Sequence, residues 1–134
     1  MERRKVSPQS ADKSHASQFR MMDVGEKPVT FRRAEGQGMI RLSPEVFERV
    51  RTDSLPKGNA LALAEVAGIM TAKKTADLLP LCHPLPIKHC EVSFAIPARR
   101  DRVVITASAK IAAQTGVEME ALTAVTVAAL TIYD

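Results

Sequence analysis

Apolar and polar positions change period several times along this 134-residue chain, and the changes divide it into elements. Residues 28–34 are rich in β-branched and aromatic side chains and predict a strand, and residues 38–42 predict its hairpin partner across a Glu35-Gly36-Gln37-Gly38 turn. Ser43, Pro44 and Glu45 read as the N-cap and first two positions of a short helix ending near Thr52. After a loop at residues 55–59, Asn59 is positioned to cap a long helix over residues 60–79. There Leu63, Val66, Ala67, Met70 and Lys74 keep helical spacing until Pro80 stops it. Strict alternation follows, with Cys90, Val92, Phe94 and Ile96 turned one way and Glu91, Ser93 and Ala95 the other. Past a turn at residues 97–101, Val103, Ile105, Ala107 and Ala109 alternate again, so the two runs predict a central hairpin. Thr115 and Gly116 open a last helix that runs to Asp134.

The predicted order ββααββα, without internal repeat or linker, implies one α+β domain. It would be a ferredoxin-like antiparallel sheet with helices packed on one face and a second face free for assembly. Residues 1–22 are small and polar and predict a disordered arm, which leaves 23–134 as the domain. Hydrophobic residues make up 46% of the chain but aromatic ones only 4%, so the core must be built from Ala, Val, Leu and Ile. The net charge of +4 is concentrated in that arm, where five Lys and Arg face two Asp and Glu, and the remainder carries only +1. Attraction for an anion therefore has to come from local clusters.

Cys82 and Cys90 are eight apart with no CxxC, which suggests neither a zinc site nor a disulfide framework and places the protein in a reducing cytoplasm. No signal-type apolar segment and no 18-residue apolar span is present, so neither export nor membrane insertion is expected. The last helix is apolar to its final letters and has no Gly or basic residue to serve its last carbonyls. Asp134 lies at the negative end of the helix dipole, and the expectation is that a C-terminal segment continues this helix.

His83 stands on a loop stiffened by Pro80, Pro84 and Pro86, either as a pre-organised proton carrier or as an ordinary surface histidine. Glu118 is either the carboxylate of a Thr115 capping box or a chemical group. Glu120 has no such structural task, and on a regular helix it points roughly 200° away from Glu118. Lys57, ahead of Gly58, is a flexible amine suited to a phosphate or to proton transfer, whereas Lys73 and Lys74 fit a solvated helix face equally well. Asp23, Lys27, Arg32 and Arg33 form a charged set at the start of the domain. No Walker loop, GxGxxG or HExxH motif is present. Glu120 and Asp134 share a helix face within about 40° but lie roughly 21 Å apart along it. If both serve one reaction they come from different subunits, which implies a homo-oligomer.

Six segments together resemble the MoaC family of molybdenum cofactor biosynthesis, the cyclic pyranopterin monophosphate synthases. They are Asp23-Val-Gly-Glu-Lys27, Lys57-Gly58, Ala67-Gly-Ile-Met-Thr-Ala-Lys73, Leu81-Cys-His83-Pro84-Leu85, Thr115-Gly-Val-Glu-Met-Glu-Ala-Leu-Thr123 and Val127-Ala-Ala-Leu-Thr-Ile-Tyr-Asp134. The resemblance implies a lyase that converts 3′,8-cyclo-7,8-dihydroguanosine 5′-triphosphate to cyclic pyranopterin monophosphate with release of pyrophosphate. It also implies that neither metal nor cofactor takes part, and that the protein is a hexamer, a trimer of dimers with sites at the dimer interfaces. Carried onto matching positions, Lys57 becomes a general acid or base, His83, Lys73 and Arg32 triphosphate ligands, and Glu118, Glu120 and Asp134 base or pterin-positioning groups. Cys82, Met119, Lys27 and Asp23 complete the implied substrate-binding set. The family places a lysine one turn beyond the Tyr-Asp pair, ahead of a Gly- and Lys-rich stretch, and this sequence has no counterpart to it. That departure supports an alternative reading, a catalytically impaired MoaC-like nucleotide-binding scaffold. An RNA-binding module is disfavoured, because one Tyr and four Phe leave few stacking platforms.

Overall fold

A computed structural model describes residues 17–134. Of the predicted arm, residues 1–16 lie outside the described residues, and 17–22 carry neither helix nor strand. The elements run β1 (Thr30–Arg41), α1 (Pro44–Arg51), α2 (Ala60–Ala72), α3 (Thr75–Leu78), β2 (His89–Ala95), β3 (Arg102–Ala113) and α4 (Glu118–Tyr133). They make an α+β fold around a three-stranded sheet of order β1-β3-β2. Both outer strands pair antiparallel with β3, so β1 and β2 run parallel with β3 inserted between them.

The expected hairpin at residues 28–42 is corrected to one unbroken strand, paired with β3 from Thr30↔Ala113 to Arg41↔Arg102. Gly36 and Gly38 lie in its middle, opposite Ala107 and Ile105, and they are there because α4 crosses directly above. A Cβ on Gly36 would stand 3.3 Å from the Ala121 carbonyl, and one on Gly38 only 2.7 Å from Val125 Cγ1. Glycine in this strand marks a close approach rather than a turn.

The central hairpin follows the predicted alternation. Val103, Ile105, Ala107, Ala109, Ile111 and Ala113 of β3 are buried, while Val104, Thr106 and Ser108 line the other, half-open face. Ser43 accepts a hydrogen bond from the Val46 N–H and Asn59 one from the Ala62 N–H, the two caps the sequence indicated.

The helix expected over residues 60–79 is interrupted at Lys73 and Lys74. The buried Thr75 hydroxyl donates back to the Ala72 carbonyl at 2.9 Å, and the Lys74 N–H turns to the Thr71 carbonyl, so side-chain and 3₁₀-type bonds replace the α-helical ladder. The helical spacing of Leu63, Val66 and Met70 does not mark the packed face of α2. Ala64, Gly68 and Ala72 are buried, whereas Leu63, Val66 and Met70 face outward. A Cβ on Gly68 would stand 3.1 Å from both the Ala124 carbonyl and Val92 Cγ2, so this helix is pressed against α4 and β2 together. Small residues admit that proximity and larger ones are driven to the outside.

Adding a methyl at Gly38 should overpack the sheet–α4 contact and cost about 1–3 kcal/mol. We expect Gly38→Ala to lower the urea midpoint, and Gly38→Ala combined with Val125→Ala to lose less than the sum of the two single changes. Simple additivity in that cycle would place the strain elsewhere.

Candidate active site

α4 starts without a side-chain cap. Its N-cap is Val117, at φ −118° and ψ 21°, so the Thr115 capping box expected for Glu118 does not form. The Glu118 carboxylate instead folds back over Gly116, into space that a Cβ there would occupy. Glu120 points into the fold and is only 4% exposed. The roughly 200° separation expected on a regular helix is thus overcome, because the first carboxylate bends back at an irregular helix start. Both line one cavity of about 350 Å³.

The rest of that cavity comes from two loops. Leu81, Cys82, His83 and Leu85 enter from the proline-bracketed loop after α3, and Met22, Asp23 and Lys27 from the segment ahead of β1. Met119 stands at the rim, 41% exposed. His83 Nε2 lies 2.7 Å from the Met22 carbonyl oxygen, which can only accept, so Nε2 carries the proton and Nδ1 is left for a ligand. A smaller adjoining cavity is lined by Lys73, Lys74, Asp77 and Pro84, and Glu120 and Leu85 are walls shared by the two.

Burial holds the Glu120 carboxyl above the ordinary glutamate range; its backbone hydrogen bond offsets part of that, and the nearby Glu118 charge adds a smaller upward push. Glu120 has no ion-pair partner among the described residues. Burial also pushes the Cys82 thiol up, and the Glu120 carboxylate adds to the effect. Both effects disfavour the thiolate at this wall of the cavity.

A second cluster forms at the other end of α4. Lys57 Nζ donates to Asp134 Oδ2 at 2.9 Å and to the Asp134 main-chain oxygen at 3.0 Å. A carbonyl at the helix end that was expected to go unserved is thus met across the fold, from a residue 77 positions away. With 16 residues in α4, the two clusters are about 24 Å apart. Arg32 joins neither. Its Nε–H donates weakly to the Ala113 carbonyl at 3.4 Å on the helix side of the sheet.

Three features of the site had no signal strong enough to be read as functional in the sequence. The Met22 carbonyl is main chain, Gly116 is needed only because Glu118 folds over it, and Gln114 acts on two carbonyls of a distant segment. Among the described residues no group of three or more His, Cys, Asp or Glu gathers closely enough to hold a metal ion. No helix among them is long and apolar enough to cross a membrane.

A model of the MoaC family matches residues 21–134. The chain is 52% identical over 115 residues to a cyclic pyranopterin monophosphate synthase of Parvibaculum lavamentivorans, a match spanning 86% of this chain and 72% of the relative. It is 50% identical over 119 residues to the protein of the same name from Chloroflexus aurantiacus, spanning 89% and 73%. It also shares 52% identity over 114 residues with a molybdenum cofactor biosynthesis bifunctional protein of Synechococcus elongatus, spanning 85% of this chain but 36% of that one.

The raised pKa of Glu120 has a stability consequence. In the unfolded chain it ionises near the ordinary 4.5, whereas the folded protein holds the proton to higher pH. Its contribution is complete below that ordinary value and is lost as pH rises through the folded pKa. Glu120→Gln carries no ionisation penalty, so its stability relative to the parent should climb as pH rises from about 4.5 and then level off. Urea midpoints of both proteins across roughly pH 4–8 test this, and a constant difference would contradict it.

Proposed function

The chain belongs to the MoaC family, and we propose that it acts as a cyclic pyranopterin monophosphate synthase, a lyase of molybdenum cofactor biosynthesis. On this reading it converts 3′,8-cyclo-7,8-dihydroguanosine 5′-triphosphate to cyclic pyranopterin monophosphate and pyrophosphate. The observation that carries the proposal beyond kinship is the gathering of Glu118, Glu120, Cys82, His83 and Met119 around one cavity, with Lys73 and Lys74 in the cavity beside it.

The arrangement suits the division of labour such a substrate needs. The cavity between Met119 and the two glutamates takes the ring system, and the triphosphate extends toward His83, Lys73 and Lys74, whose charge-assisted bonds are the strong ones for phosphate. Glu120, whose burial favours the neutral form, is placed to exchange a proton with the substrate. Lys57 and Asp134 are a second proton-transfer pair. Asp23 and Lys27 close the cavity mouth.

The two clusters have to meet if both serve one turnover, and about 24 Å of helix separates them within the chain. A homo-oligomer in which the Lys57–Asp134 end of one protomer completes the Glu118–Glu120 end of another resolves this, and a hexamer built as a trimer of dimers is the assembly we favour. The outward Leu63, Val66 and Met70 of α2, with Leu130 of α4, form an apolar surface that a monomer would leave in water. Arg32 can then reach a ligand only across such an interface. The element order β, helix, β, β, helix, with β3 between the two parallel strands, also fits the ferredoxin-like plan. Free Cys82 and Cys90 accord with a cytoplasmic setting.

Glu120→Gln and Lys57→Ala should each lose about 10²–10⁴ in rate, measured as pyranopterin formed from the cyclic nucleotide. Mixed in equal amounts and allowed to exchange subunits, the two inactive variants should recover about a quarter of the parent activity, since half the dimers would be mixed and each would hold one intact site. Full activity in either single variant removes that residue from the chemistry. Failure of the mixture to recover, with exchange verified by mass, places each site within one chain.

A further inference from the structure

The segment ahead of β1 reaches the cavity as a tight turn with its own internal bonds. Asp23 Oδ1 accepts from the Gly25 N–H at 2.9 Å, and the Lys27 N–H donates to the Val24 carbonyl at 3.0 Å. Two side chains from elsewhere hold this turn against the domain. His83 takes the Met22 carbonyl at one end. At the other, Gln114 Nε2 donates to the Gly25 carbonyl at 3.2 Å and to the Lys27 carbonyl at 3.0 Å, across 89 and 87 positions of sequence. Both N–H groups of the Gln114 amide are thereby engaged by main-chain oxygens of one turn.

The two anchors differ in kind. His83 lines the cavity itself, so its hold on Met22 is exposed to whatever binds there. Gln114 does not line that cavity, although it shares a neighbouring one with His83, and its bonds hold the other end of the turn. Asp23 and Lys27, which do line it, depend on the turn for their position. We infer that Gln114 is a positioning residue, the ligand-independent tether that keeps the residue 22–27 strap, and with it Asp23 and Lys27, at the mouth of the cavity. The functional half of this inference rests on the lyase reading above, but the tether itself does not.

Gln114→Met keeps the length of the side chain and removes both donors without adding charge, and Gln114→Lys restores a donor. In the ligand-free protein, hydrogen exchange of the amides at residues 23–27 should quicken on the order of tenfold in Gln114→Met, as expected for losing bonds of this type. It should return toward the parent rate in Gln114→Lys, while β1 and α4 keep their protection in both. With the cyclic nucleotide as substrate, Gln114→Met should raise KM by roughly the same factor and change kcat little, the pattern of a lost binding contribution. Unchanged exchange at residues 23–27 would overturn the tether. Faster exchange with an unchanged KM would overturn its service to the substrate. Absence of turnover in the parent protein would overturn the lyase reading while the exchange result still decided the tether.

Discussion

The closeness with which α4 lies on the sheet and beside α2 is the constraint from which the rest of the molecule follows. Gly36 and Gly38 beneath it and Gly68 beside it leave no room for a side chain. The inward face of α4 carries three alanines, Ala121, Ala124 and Ala128, beside Val125 and Ile132. A chain with so few aromatic residues cannot stabilise a core by burying large rings, so it gains contact by drawing backbones together, where many short-range dispersion contacts replace a few large ones. Because α4 is held along its whole length, both of its ends are fixed, and each end carries a chemical cluster.

At the N-terminal end, packing becomes electrostatics. An inward-facing position on a tightly seated helix is cut off from water, and Glu120 occupies such a position. Its carboxyl is held toward the neutral form by the same burial that seats the helix. At the C-terminal end α4 meets the Lys57 loop, whose amine serves both the Asp134 carboxylate and its main-chain oxygen in an exposed setting. An exposed pair of this kind contributes little to stability, and its value is in placing an amine beside a carboxylate.

The loops obey a different logic. Leu85 anchors the proline-rich segment that presents Cys82 and His83 against the core, and hydrogen bonds to main-chain carbonyls join the strap from Met22 to Lys27 to the domain. The scaffold is set by close packing and the mouth of the cavity by a few exchangeable bonds. A site that must admit and release a large polar ligand is well served by that separation.

Local chemistry was enough to read much of this from the sequence. Ser43 and Asn59 as caps, the alternation of β2 and β3, Pro80 as a stop and the family-specific segments are each specified by neighbours a few residues away. They also pointed to Asp23, Lys27, Cys82, His83, Glu118, Met119 and Glu120, which the fold brings to one cavity. What they could not reveal was decided across the fold. Glycines at 36 and 38 read as a turn because, in sequence, tightness of backbone bending and tightness of helix approach look alike. The periodicity of α2 reports a face without saying which face is covered, and the covered one proved to be Ala64, Gly68 and Ala72. The two glutamates seemed to diverge until the start of α4 proved irregular, and Lys57 met Asp134 only once the chain had folded. Apart from the bend of Glu118 over Gly116, each deciding contact joins residues far apart in sequence, and a pattern confined to neighbouring residues carries no record of it.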